Sequence, residues 1–202
     1  MGPLEGLWAS LVFVFIMLGV IRGFLKELGL TTVMIVWLFG MDQIIPRLEG
    51  FIQTQSAVPG SFVTRIGLTP ATQNTSLWLL FTLITLAVVY VSYQGETLAF
   101  EGTPPRGVLG VLFGALIGAI NGYLVCGTLW WLLDHYNYPI QSTGLLLRVP
   151  ETGTFLTPAA EQIVHALKLL PPDLLGQGAQ SPDTLGVLPV LVVTMILLRV
   201  VR

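Results

Sequence analysis

Few side chains in this sequence are of a type that does chemistry, and their spacing narrows what that chemistry can be. Arg22, Lys26 and Glu27 stand together just after the first apolar run. At a membrane surface a partial loss of water strengthens pairing between Arg22 and Glu27, or of either with a partner, because attraction grows as the dielectric falls. Gly23, next to Arg22, leaves room for a tight turn or a close helix approach where the chain re-enters the membrane. Asn121 is a lone amide inside a long apolar run, and such an amide faces protein or water, usually as an interhelical hydrogen bond. Asp134-His135 marks the end of that run and reads as solvated rather than catalytic. Cys126 reads as a small packing residue. One Cys and two His build neither a disulfide framework nor a zinc spacing. No His/Asp/Glu cluster or Ser–His pair falls within one membrane layer, so an enzyme is the weakest reading and no cofactor or metal is expected.

The elements that position these residues follow from composition. Of 202 residues, 53% are apolar and 10% charged, where a soluble domain carries about 25% charged. Mean hydropathy is +0.80. A soluble globule could not cover its surface with so few charges, which excludes a free cytosolic enzyme. A net charge of -2 offers no basic footprint, so nucleic acid is not an expected partner and the lipid bilayer is.

A spanning helix needs about 20 apolar residues. Charges delimit the candidates: one run between Glu5 and Arg22, one from Gly23 to Ile45 ending before Pro46, one from Leu77 to Tyr93, and one between Arg106 and Asp134. A fifth run, Leu185 to Leu198, contains Pro189 and spans only if the core thins or Arg199 snorkels. The expected fold is an all-α integral membrane protein with four to five transmembrane helices. Residues 1–134 form the four-helix domain. Residues 135–184 form an extracytoplasmic region with an amphipathic surface helix over 158–170, and residues 185–202 supply the fifth helix. Thr157-Pro158 opens the amphipathic helix. Ala160, Ile163, Val164, Leu167 and Leu170 line one side of it, with Glu161, His165 and Lys168 opposite.

Arg22 and Lys26 face an N-terminus with no Lys or Arg, so the positive-inside rule puts the first turn in the cytoplasm, with Lys26 and Glu27 at the interface. Loop 46–76 then lies outside, with room for a short helix near Pro46 to Thr54, and loop 94–107 lies inside. Trp130, Trp131, Tyr136 and Tyr138 suit an interfacial belt.

The strongest local pattern is GVLGVLFGALIGAINGYLVCG, in which Gly110, Gly114, Gly118 and Gly122 recur every four residues. One helix face is bare for about 18 Å. Close approach matters in lipid, where no hydrophobic force draws helices together. The stripe therefore reads first as tight packing within the chain and second as a dimerisation face.

Two stretches together resemble the colicin V production protein (CvpA) family. They are Gly19-Val20-Ile21-Arg22-Gly23-Phe24-Leu25-Lys26-Glu27 and Pro105-Arg106-Gly107-Val108-Leu109-Gly110 leading into the glycine ladder. Leu169-Leu170-Pro171-Pro172 is similar to the family's C-terminal region. Relatives often carry an acid where this chain has Pro105, and many end before the equivalent of residues 185–202. The resemblance covers about residues 1–172 and marks Arg22, Gly23, Phe24, Glu27 and Arg106 as motif residues. It implies a bacterial inner-membrane protein linked to toxin export and envelope homeostasis.

The favoured expectation is thus a non-enzymatic membrane protein acting through membrane partners or as a homo-oligomer. An accessory subunit of a large membrane complex would be equally apolar and motif-poor. A small transporter or channel would need ionisable residues within its spans, broken helices or an inverted repeat, and the sequence shows only Asn121 and Asp42.

Overall fold

A computed structural model describes residues 3–58, 60–65, 68, 72–94, 107–136, 139, 170–176 and 189–194. Among the described residues there are helices and no strands. The helices are α1 (Pro3–Arg22), α2 (Phe24–Ser56), α3 (Phe62–Arg65), α4 (Gln73–Gln94), α5 (Val108–His135) and α6 (Pro171–Gly176). Residues 189–194 are also helical. The chain is an all-α protein, and α2, α4 and α5 are long and apolar enough to cross a membrane. The apolar stretch of α1, Gly6–Arg22, is shorter.

A single residue separates α1 from α2. Gly23 has φ 85° and ψ 159°, a backbone region that side chains with a Cβ rarely enter. Its N–H still bonds the Gly19 carbonyl at 3.0 Å, after which the chain reverses. α1 nevertheless packs chiefly on α5, not on its neighbour α2.

The α1–α5 contact is made of backbone. A Cβ at Gly118 would lie 2.5 Å from the Phe15 carbonyl oxygen, and one at Gly114 would lie 2.5 Å from the Gly19 oxygen. A Cβ at Gly122 would lie 3.0 Å from Val12 Cα. Gly19 reciprocates, facing the Gly114 carbonyl and the Cα of Gly118. Gly110 is half-buried.

Pro46 does not end the second helix. α2 runs 33 residues with Pro46 inside it, which corrects the boundary at Ile45 and turns the short helix expected near 46–54 into a continuation. Proline removes one i→i−4 bond and crowds the carbonyl four residues back. Here it sits on the exposed side, while buried Met41, Ile45 and Ile52, with Leu48 beside them, pack on Val63, Leu77, Phe81, Leu132 and Tyr136. Tertiary burial on one face outweighs the local penalty on the other. At about 1.5 Å per residue, α2 is about 50 Å long, more than the ~30 Å hydrocarbon core.

A second apolar cluster joins Leu30, Met34, Ile35, Leu38, Leu124 and Val125. Leu191 and Val192 pack against it. Those two belong to the run expected over 185–198, of which residues 185–188 and 195–198 lie outside the described residues. So do Arg106, Tyr138 and residues 158–169 of the expected amphipathic helix; its last residue, Leu170, is buried.

The aromatic belt expected at the end of α5 is corrected in part. Trp130 turns inward, edge-on to Trp8 at 6.3 Å. Tyr136 is buried and stacks on Phe81 at 6.5 Å. The cause is protein cover: α6 docks where Pro171 meets Gly127, and the distal part of α2 closes over Tyr136. Large apolar side chains such as Phe13, Leu83, Val108 and Leu116 instead lie exposed on the outer helix faces.

Candidate functional site

The Gly23 reversal brings Arg22, the last residue of α1, back over the first turn of α2, where Glu27 stands. Arg22 Nη1 donates to Glu27 Oε1 at 3.1 Å. Its Nη2 donates to the Tyr93 carbonyl at 3.2 Å, near the C-terminus of α4, where carbonyls have no helical partner and a cation is favoured. The guanidinium carbon lies 4.2 Å from the centre of the Tyr93 ring, a cation–π distance.

Glu27 is fully buried, with 0% exposure. Its second oxygen, Oε2, accepts from Asn121 Nδ2 at 2.8 Å and from the Tyr93 hydroxyl at 3.3 Å. Asn121 comes from the middle of α5 and is itself fully buried. Its amide also donates to the Glu27 backbone carbonyl at 2.9 Å. The Thr31 hydroxyl, one turn further along α2, donates to Asn121 Oδ1 at 2.7 Å.

The arrangement is therefore one connected network drawn from α1, α2, α4 and α5. Three donors from three helices reach one carboxylate, and a fixed positive charge neutralises it. Removing a carboxylate from water costs several kcal/mol, and only good geometry with additional hydrogen bonds offsets that cost. Phe24, the remaining described motif residue, packs on Phe113 with ring centres 5.7 Å apart. Motif and ladder thus act at the same junction: the glycines let α1 approach α5, and the network fixes the turn that follows.

Both carboxylate oxygens accept hydrogen bonds from side chains of the protein, Oε1 one and Oε2 two. Among the described residues no group of three or more His, Cys, Asp or Glu side chains is placed to hold a metal ion. Cys126 is buried in the α5 wall.

Sequence reasoning missed three participants. Thr31 had a signal, because it lies four residues from Glu27 and shares its helix face. Gly19 completes a small-residue contact with the ladder but has no glycine four residues away in its own helix. Tyr93, 66 residues from Glu27, carried no local signal. No family model, curated protein or solved structure matches this chain.

Proposed function

We propose that this chain is a non-enzymatic, multi-pass protein of the bacterial inner membrane, of the colicin V production type, that supports toxin export or envelope homeostasis through protein partners in the membrane. The observation that carries this reading is the fate of the motif. Arg22, Gly23 and Glu27 are spent on one another and on Tyr93 and Asn121, so they build a rigid junction instead of an open reactive centre. Activity then belongs to the outer surface, where apolar side chains meet lipid or other membrane proteins. α1 serves as a fourth span, because it lies along α5 from Val12 to Gly19. The run over 185–198 serves as a fifth, supported by Leu191 and Val192 on the central cluster.

The test combines mild solubilisation, affinity capture and mass spectrometry of the intact assembly with complementation of an envelope-stress or toxin-export defect. Wild-type chain is expected to complement and to retain a membrane partner or a second copy. Recovery as a fixed-stoichiometry component of a large complex would assign it instead to an accessory subunit. Substrate turnover by the purified chain would overturn the non-enzymatic reading.

A further inference from the structure

A second polar cluster lies at the opposite end of α5 from the Gly23 turn. His135 Nε2 and Glu49 Oε1 are 3.0 Å apart, with the two side chains 33% and 27% exposed. Glu49 stands three residues beyond Pro46 in α2. The His135 ring stacks on Trp131, with centres 4.5 Å apart and planes at 16°, and Tyr136 meets it edge-on at 4.8 Å. Trp131 Nε1 in turn donates to Asp173 of α6 at 2.9 Å. One imidazole thus connects distal α2, the end of α5 and, through Trp131, α6.

We infer that the Glu49–His135 pair is a pH-dependent latch that fastens α2 beyond Pro46 to the end of α5. Histidine is the side chain whose charge ordinarily changes between pH 5 and 8. When His135 gains a proton, its contact with Glu49 becomes a charge-assisted bond. Its stack on Trp131 becomes a cation–π contact at the same time. Only the Glu49 contact crosses from α5 to α2, and it strengthens closure in acid; the Trp131 stack lies within α5 and holds the ring in place. The other charges nearby do not compete for this role. Asp134 adjoins His135 on α5 and Asp173 is bonded to Trp131, and neither is a cation that could take the place of His135 at Glu49. Arg47 of α2 is turned back onto Gln43, with bonds of 3.2 Å to its carbonyl and side-chain oxygens. Arg65 ends α3 and is exposed. α4, which packs on the same end through Leu77 and Phe81, carries no charged residue, and neither do residues 189–194. Pro46 supplies the weak point, since the missing N–H leaves α2 one backbone bond short there.

The test is amide hydrogen exchange of the full chain in lipid nanodiscs at pH 5.5 and pH 8, with each rate divided by its intrinsic value. Protection of residues 47–56 in the wild type is expected to fall roughly fivefold at the higher pH, the scale of one half-exposed ion pair, while residues 10–20 of α1 stay unchanged. His135→Gln and Glu49→Gln are expected to hold the low value at both pH values, and His135→Lys to remove the pH dependence. A flat wild-type profile would overturn the latch without reference to any variant. So would an undiminished pH response in either His135→Gln or Glu49→Gln.

Discussion

Asn121 gives both hydrogens of its side-chain amide to Glu27, one to the carboxylate at 2.8 Å and one to the backbone carbonyl at 2.9 Å, across 94 residues of sequence. The contact fixes the register of α2 against α5. The carbonyl it reaches lies in the first part of α2, and Thr31 closes the loop by donating to the same amide's oxygen at 2.7 Å. An aspartate at this position could not donate, and a serine could not reach both acceptors. The amide is the one short side chain that suits a buried carboxylate and a carbonyl together.

Asn121→Leu keeps the volume roughly constant and removes the donors. Glu27 then loses its shortest side-chain bond while staying buried. Hydrogen bonds to charged groups contribute about 1.5–3 kcal/mol, and interhelical bonds in lipid reach about 1.7 kcal/mol, so a loss of about 2 kcal/mol is expected. Reversible unfolding in detergent measures it. Unchanged stability would mean that water or another group replaces the amide.

Arg22→Leu leaves a buried carboxylate without its cation, and Glu27→Leu leaves the cation without its carboxylate. Breaking a buried pair from one side costs about 3–5 kcal/mol, whereas replacing both members with apolar residues is often close to neutral. The double variant is therefore expected to be more stable than Arg22→Leu alone. The coupling from the complete cycle should be about 1–3 kcal/mol. Additive losses would show that Arg22 acts through Tyr93 alone.

The parts of this site differ in how far they can be read from sequence. Arg22, Gly23 and Glu27 are neighbours, so their association is legible from spacing, and Asn121 is conspicuous as a lone amide in an apolar run. Their meeting is not legible. In sequence Glu27 stands at the start of one apolar run and Asn121 in the middle of another, yet the α1–α2 turn is set down alongside the interior of α5 and the two side chains meet. The ladder signals a close helix contact but not its partner, because Gly19 has no glycine at four-residue spacing within α1. Pro46 misleads for the opposite reason: its local rule is sound, but Ile45, Leu48 and Ile52 share a buried stripe that local rules do not weigh.

Pro46→Ala restores the missing N–H opposite the Asp42 carbonyl and relieves ring crowding in a helix interior. The site is exposed, so no core contact is lost. Alanine outranks proline by about 3 kcal/mol in a helix interior, but it also frees the unfolded chain, which leaves an expected gain of about 1–2 kcal/mol. Thermal unfolding in detergent measures it. A loss would show that the chain direction set by Pro46 is what allows Ile52 and Val63 to dock.

The glycine contact makes the sharpest prediction, because the obstacle is backbone on both sides. A methyl at Gly19 meets the Gly114 carbonyl and, 2.8 Å away, the Cα of Gly118. Neither can rotate aside as a side chain can, so α1 must lift off α5. Overpacking of this kind costs about 1–3 kcal/mol, and the separation forfeits dispersion contacts along the seam. Gly19→Ala is therefore expected to destabilise despite alanine's better helix propensity, and Gly118→Leu to do so more strongly. Two controls isolate the cause. Val111→Leu lies on the outer face, 52% exposed, and should change stability by less than about 0.5 kcal/mol. Gly40→Ala lies within α2 with nothing within 4 Å of the added Cβ, and should stabilise by up to about 1 kcal/mol through propensity alone. Lifting α1 also draws Arg22 away from Glu27, so Gly19→Ala should reduce the energetic coupling between those two residues. If Gly19→Ala instead stabilises as Gly40→Ala does, the α1–α5 seam has slack and the ladder does not set the position of Arg22.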